Sequence, residues 1–256
     1  AALLALYLTA SLVLPAAAAG TVPSQAEAAQ VIQALGIMAG DDRGNLNLES
    51  PVTRAEFITM AVKALPGGGE IGQAATSPYP DVPRSHWASG YVEAGVKAGL
   101  VSGFSDGTFR PNQNISRAQF AVMLYRYLKL DESKYADVSL PFADLDIIPE
   151  YAIPAVKALY TEGVISGAEK NGRLYFNPNN ALTRAQAAAM IGRTQAKGYA
   201  LANLTFTDSG KIPGYADYYI RTMAAQGVIN GYSDGSFKPH SNITRGQMAK
   251  ILYNLM

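Results

Sequence analysis

Four arginines carry the strongest chemical signal in the chain. Each sits inside the same four-residue phrase: Thr53-Arg54-Ala55-Glu56, Ser116-Arg117-Ala118-Gln119, Thr183-Arg184-Ala185-Gln186 and Thr244-Arg245-Gly246-Gln247. Ser or Thr followed three residues later by Glu or Gln is a capping box, in which the hydroxyl accepts from the N3 amide and the N3 side chain reaches back to the cap amide. The arginine is therefore in the first turn of a helix, where a cation opposes the helix dipole at a cost of about 0.3–1 kcal/mol. A bound carboxylate would resolve the conflict, because it would meet exposed helix amides and a guanidinium able to hold it through two hydrogen bonds. The competing reading is an internal salt bridge to Asp81, Asp144 or Asp208, or to Asp106 or Asp234.

A second set of residues recurs with the arginines. Trp87, Tyr151 and Tyr215 stand twelve positions before Gly99, Gly163 and Gly227. An aromatic face beside an anion-binding arginine suits a charged sugar, whose apolar ring face stacks while its edges hydrogen-bond. The same residues also fit the core-facing stripe of a helix.

The elements that must position these groups are legible as a repeat. Gly36, Gly99, Gly163 and Gly227 each precede a second glycine by four (Gly40, Gly103, Gly167, Gly231), at successive spacings of 63, 64 and 64. The arginines are spaced 63, 67 and 61 apart, so copy three carries three extra residues between Gly167 and Phe176. The clearest turn, Gly103-Phe104-Ser105-Asp106-Gly107-Thr108-Phe109-Arg110-Pro111, returns as Gly231-Tyr232-Ser233-Asp234-Gly235-Ser236-Phe237-Lys238-Pro239. Each copy reads as helix, turn, helix: a glycine-stopped first helix and a capped second one. The first helix of copy two is expected from about His86, with Trp87, Tyr91, Val92, Val96 and Leu100 as one stripe. Aromatic-x-Asp opens copies two to four (Tyr79-Pro80-Asp81, Phe142-Ala143-Asp144, Phe206-Thr207-Asp208), whereas copy one lacks this opening and has Ser24 in the place of the tryptophan. Copy one therefore reads as degenerate.

The expected division is a signal-peptide remnant at 1–20, copies at 21–65, 79–130, 139–197 and 203–256, and a glycine- and proline-rich linker at 66–78. Residues 79–256 are expected to fold as one unit of three modules, with copy one packed loosely on it. The apolar stretch at 1–19, with Pro15 and an Ala-x-Ala ending, fits a secretory signal rather than a membrane span, so no span is expected in the mature chain. Asp41 to Glu49 mimics a calcium loop, but Leu46 stands where the sharp-turn glycine is required, and an ordinary polar turn is the better reading.

With 21 basic and 20 acidic residues, no net field is available to hold nucleic acid. Cysteine is absent, which removes disulfides, thiolate catalysis and cysteine metal sites. Neither a histidine triad nor a phosphate loop is present, and the carboxylates recur with the repeat as binding or structural groups would. The chain reads as a non-enzyme without cofactor or metal.

Taken together, the opening aromatic-x-Asp, the Trp or Tyr, the glycine pair, the Gly-(Phe/Tyr)-Ser-Asp-Gly turn and the Ile-(Thr/Ser)-Arg-(Ala/Gly)-Gln phrase resemble the S-layer homology (SLH) module of bacterial cell-surface proteins, over about Ser24 to Met256. The resemblance implies an all-α fold of tandem modules packed as a pseudo-threefold helical bundle, with grooves between modules. It further implies a secreted protein of the cell wall or surface layer, whose grooves bind secondary cell-wall polysaccharide through a pyruvylated amino sugar. Matched residue by residue, Arg117, Arg184 and Arg245 would hold the carboxylate, with Trp87, Tyr151, Tyr215, Asp81, Asp106 and Asp234 around them. Arg54 is the doubtful member, and copy three, lacking the Asp-Gly turn, is expected to have the weakest groove. The alternative is a helical repeat scaffold for protein assembly at the surface, such as self-assembly into a surface layer.

Overall fold

A computed structural model describes residues 24–41, 43–64, 69–77, 79–194, 201–226 and 228–255. The expected signal peptide, and residues 66–68 and 78 of the expected linker, lie outside these. The fold is helical, with eight α-helices described: α1 (Gln25–Ala34), α2 (Arg54–Lys63), α3 (Ser89–Lys97), α4 (Arg117–Tyr127), α5 (Ile153–Thr161), α6 (Arg184–Thr194), α7 (Gly214–Ala225) and α8 (Arg245–Leu255). The three extra residues of copy three make a hairpin, β1 (Ala168–Lys170) and β2 (Arg173–Tyr175), closed by Asn171 and Gly172, both at positive φ.

The punctuation works as the residue types require. Gly36, Gly99 and Gly163 have φ of +73°, +66° and +69°, the left-handed C′ position that ends a helix. The second glycine serves a different purpose, making room for the opening aromatic ring. A Cβ on Gly103 would lie 2.3 Å from Tyr79, on Gly167 3.0 Å from Phe142, and on Gly231 2.9 Å from Phe206. Copy one has no such ring, and there the Gly44 backbone fills the space beside Gly40. Helix α3 begins at Ser89 rather than near His86, because residues 86–88 form a turn in which the Ala88 amide donates to His86 Nδ1. Trp87 therefore precedes the helix and is not part of its stripe.

The copies pack in a cycle. The second helix of each copy lies against the first helix of the next, as α2 on α3, α4 on α5 and α6 on α7, and α8 returns to α1. At the centre, four backbone bonds run in a closed loop: Ile115 N–H to Val52 O, Leu182 N–H to Ile115 O, Ile243 N–H to Leu182 O, and Val52 N–H to Ile243 O. Each second helix also docks its first two amides on the following copy's turn. Arg54 and Ala55 donate to Gln113 and Pro111, Arg117 and Ala118 to Asn180 and Pro178, Arg184 and Ala185 to Ser241 and Pro239, and Arg245 and Gly246 to Ser50 and Leu48. The all-helical class is as expected, but the symmetry is pseudo-fourfold, not pseudo-threefold. Copy one closes the ring instead of resting loosely on a three-module unit.

The second helix of each copy is covered on nearly all sides, whereas the first helices keep an exposed face. Every residue of α4 from Arg117 to Tyr125 is buried, and one apolar cluster runs through all four copies, from Ile32 and Phe57 through Phe120, Leu159 and Met190 to Met248 and Leu252. A second cluster, including Ala55, Ile58, Val62, Tyr91, Val92 and Phe109, fills the seam between copies one and two. Residues 69–77 have no helix or strand but lie along α3. The Ala74 amide donates to Ser89 Oγ, the Ile71 amide donates to Tyr91 Oη, and a Cβ on Gly90 would run into Gly72 O. Glu70 completes this seam by bonding both Lys63 and Tyr91.

Candidate functional site: arginine grooves at the seams

The capping boxes form at α1, α2 and α4, with the N3 side chain reaching back to the N-cap amide, and the same two bonds form at Thr183/Gln186 and Thr244/Gln247. They aim each motif arginine away from its own copy and into the turn of the next. Arg54 Nε donates to Phe109 O at 2.8 Å and Nη2 to Ser102 O at 2.9 Å. Arg184 repeats this with Phe237 O at 2.6 Å and Asn230 O at 3.3 Å, and Arg245 with Leu46 O and Ala39 O at 2.8 Å each. Arg117 keeps one of the two bonds, Nη2 to Ser166 O at 2.6 Å, while its Nε is buried without a partner. The hairpin in copy three is the local difference: the guanidinium lies 5.2 Å from the Phe176 ring, against 4.5 Å for Arg54 over Phe109 and Arg184 over Phe237.

All four arginines are buried, and three of them make no ion pair among the described residues. Among the described residues, Arg54, Arg117 and Arg184 have no carboxylate within salt-bridge distance, and their Nη1 groups have no hydrogen-bond partner. Burial pulls the Arg54 and Arg117 pKa values down to about 10, and that of Arg184 down as well, so each stays cationic at neutral pH in a place that disfavours the charge. Aromatic rings take part of the load. Phe104 has Arg54 at 4.7 Å and Arg110 at 4.0 Å from its centroid, and Tyr232 has Arg184 at 4.6 Å and Lys238 at 4.1 Å. Arg245 alone meets an acid: its Nη1 is 2.5 Å from Glu56 Oε1.

The aspartates do other work. Asp81 accepts from the Phe109 and Arg110 amides, Asp144 from Phe176 and Asn177, and Asp208 from Phe237 and Lys238. Each opening aspartate thus pins its own copy's turn where a non-glycine residue takes positive φ: Arg110, Asn177 and Lys238 at +56°, +56° and +55°. Asn47 is the copy-one counterpart at +49°, in a turn held by Asp41, which accepts from the Arg43 and Asn45 amides. Asp106 and Asp234 cap the Thr108 and Ser236 amides and pair with Arg110 and Lys238, and these bonds hold both carboxyls far below the usual range. The internal salt bridge from motif arginine to these aspartates is therefore not what the structure contains.

The aromatic residues divide. Trp87 is 59% exposed and stacks on His86, and Tyr215 is 45% exposed, so neither is a core residue. Tyr151 is half-buried, and burial raises its pKa to about 12, an effect that the nearby Arg54 guanidinium opposes. Tyr215 is raised by burial too and is opposed in the same way by Arg117. Each pairing thus joins an arginine to the aromatic of the copy two steps on, with the turn of the intervening copy between them. Arg184 instead lies 4.6 Å from the Tyr232 ring centroid and lines a small cavity of about 50 Å³ with Gln247 and Lys250, while Tyr232, Asp234, Lys238, His240 and Glu49 line an open cleft of about 700 Å³ that Arg184 does not reach. Neither the aromatic shelf of Phe104, Phe109, Tyr232 and Phe237 nor Glu56's second contact is anticipated by reading each copy alone, since both depend on the neighbour.

Helix–turn–helix repeats tied head to tail, with a buried arginine at each seam, define a helical repeat protein. The chain belongs to the S-layer homology domain family, whose model matches residues 19–58, 78–121, 141–188 and 205–249. Its relatives include the Cellulosome-anchoring protein of Acetivibrio thermocellus (30% identical over 75% of this chain and 42% of the relative) and the Surface-layer 125 kDa protein of Lysinibacillus sphaericus (31% over 66% and 14%). The Amylopullulanase of Thermoanaerobacterium thermosulfurigenes is 31% identical over 68% of this chain but only 9% of its own length. The chain thus spans less than half of each of these relatives. Among the described residues, no helix is long and apolar enough to cross a membrane.

Proposed function

We propose that the chain is a non-catalytic module that holds a protein at the cell surface by binding an acidic cell-wall polysaccharide in its seams. The motif arginines receive the carboxylate, for which a pyruvylated amino sugar is the natural carrier. The observation that carries this reading is the set of three buried guanidiniums, Arg54, Arg117 and Arg184, each with Nη1 unused and no acid against it among the described residues. Burying an uncompensated charge is costly, so a ligand carboxylate would relieve the site as well as bind to it. Phe104 and Phe109 supply ring faces beside Arg54, and Phe176 supplies one beside Arg117. The anchoring named for the Acetivibrio relative supports the biological role.

The test is sedimentation of the full chain with purified cell walls, before and after extraction of their polysaccharide and after chemical removal of pyruvyl groups. Binding should be lost with the polysaccharide and strongly reduced with the pyruvyl groups. Equal binding to all three preparations would rule out both the glycan and its carboxylate.

A further inference from the structure

Lys250 holds a position that the other copies fill without charge. It stands five residues after Arg245, where copies one to three have Thr59, Val122 and Ala189, and all four positions are buried. At 3% exposure, Lys250 Nζ has no hydrogen-bond partner among the described residues. Burial pulls its pKa down, and the acid that opposes this, Glu27, makes no ion pair with it and is engaged on the Ser24 amide at 2.7 Å. An ammonium buried without a counter-charge is costly.

What Lys250 shares its surroundings with is a second cation. Lys250 and Arg184 line the same cavity of about 50 Å³, between α6, α7, α8 and the start of α1. The guanidinium is on that wall because the two carbonyls that accept from it, Phe237 O and Asn230 O, belong to residues that also line the cavity. Gln25, the first residue of α1, adds the positive end of a helix dipole. No acidic residue is on the wall, and apart from Gln25, Asn230 and Gln247 the rest of it is apolar. Two like charges around one cavity repel, whereas an anion between them attracts both. Size decides which anion. About 10–15 Å³ in this measure admits one water and about 150 Å³ admits benzene, so the cavity has room for a halide and none for a sugar ring. The largely apolar wall also favours a weakly hydrated ion over sulfate or phosphate, whose hydration it cannot replace. Asn230 is exposed and marks the way in.

We propose that one small monovalent anion of the halide class, chloride above all, binds between the Arg184 guanidinium and the Lys250 ammonium and fastens copy four to its neighbours in the ring. The proposal is independent of the glycan reading, since the cavity excludes a sugar and Lys250 has no charged counterpart in the other copies. It makes the closing helix α8 sensitive to dissolved halide.

The test compares the full chain with Lys250→Met at constant ionic strength, with sodium chloride or bromide replacing sodium gluconate, whose anion is too large for the cavity. Two signals are read: the Nε–Hε resonances of isotope-labelled arginine, assigned by single Arg→Lys exchanges, and the chloride NMR linewidth. In the wild type, the Arg184 signal should shift saturably with either halide, and bromide should reverse the broadening of the chloride line. Lys250→Met should weaken the Arg184 response about tenfold or more, as loss of one of two charged contacts requires, while Arg54 and Arg117 behave as in the wild type. The melting temperature should rise with chloride in the wild type and stay level in Lys250→Met. Methionine suits a buried helix position, and the melt of the variant in gluconate checks that it folds. An Arg184 signal indifferent to halide, equal Arg184 responses in the two proteins, or a wild-type melting temperature that chloride leaves unchanged would each overturn the proposal.

Discussion

Arg54→Ala and Arg117→Ala should differ sharply in what they cost the fold while agreeing in what they cost binding. Arg54 donates to two backbone carbonyls, one buried and one half-buried, and lies over two rings, Phe104 and Phe109. Arg117 donates to one carbonyl, lies farther from one ring, and carries a buried Nε with no partner. A hydrogen bond to a charged group is worth about 1.5–3 kcal/mol, and a cation over a ring adds about 0.5–2 kcal/mol. Losing Arg54 should therefore cost about 3–5 kcal/mol, near the upper limit for single substitutions. Losing Arg117 should cost about 1–2 kcal/mol, because removing the unsatisfied Nε returns part of the loss. Each should weaken binding of a pyruvylated wall fragment by about 1.5–3 kcal/mol at its own seam. Denaturant melts give the first pair of numbers, and calorimetry at a temperature where both variants are folded gives the second. Equal stability losses would refute the view that the seams differ in how completely the neighbouring turn satisfies the arginine. A loss of stability in Arg117→Ala with unchanged binding would return this arginine to a purely structural role.

Three further outcomes follow from particular contacts. Lys250 is 3% exposed with no partner for Nζ among the described residues, so Lys250→Met should raise stability by about 1–3 kcal/mol in chloride-free thermal melts; a fall would mean the ammonium is satisfied. At Gly246 a Cβ would lie 3.1 Å from Leu48, where the other copies pair alanine with proline, so Gly246→Ala and Leu48→Pro should couple favourably by about 0.5–1 kcal/mol in a double-mutant cycle; strict additivity would refute the contact. The Asp208 carboxyl, held low by the Phe237 and Lys238 amides against the opposing effect of burial, has a depressed folded pKa. Its stabilisation is complete above the unfolded value of about 4 and disappears as pH falls through the folded value. Acid melts of Asp208→Asn should therefore lose the part of the wild-type pH dependence below that point.

Most of the local structure was legible in the chain, the start of α3 and the copy-three hairpin excepted. The capping boxes, the left-handed glycines and the core positions Val156, Met190, Met248 and Leu252 needed only spacing and side-chain type, because each depends on residues a few positions away. Ring closure was legible only in a pairing across copies: copy four has Gly246 where the others have alanine, and copy one has Leu48 where the others have proline, and these two departures meet at one contact. Arg54 seemed doubtful because its own copy lacks an aromatic-x-Asp opening. Its partners belong to copies two and three, and those openings are intact. The acid that neutralises Arg245 was visible as a cap, and its second contact, about 190 residues away in the chain, was not.

The four-bond loop of Val52, Ile115, Leu182 and Ile243 also has a mechanical meaning. An open stack of repeats has two outer faces and frays from either end. This loop has neither, and the path from α1 to α8 comes back to the same seam. Tension applied between the two ends of the described chain would bear first on the α8–α1 contact and on the Arg245 bonds to Leu46, Ala39 and Glu56. The remaining seams would be strained only after that one parted. A glycan held beside Arg54 or Arg117 would then sit on the sheltered side of the ring, away from the place where force enters.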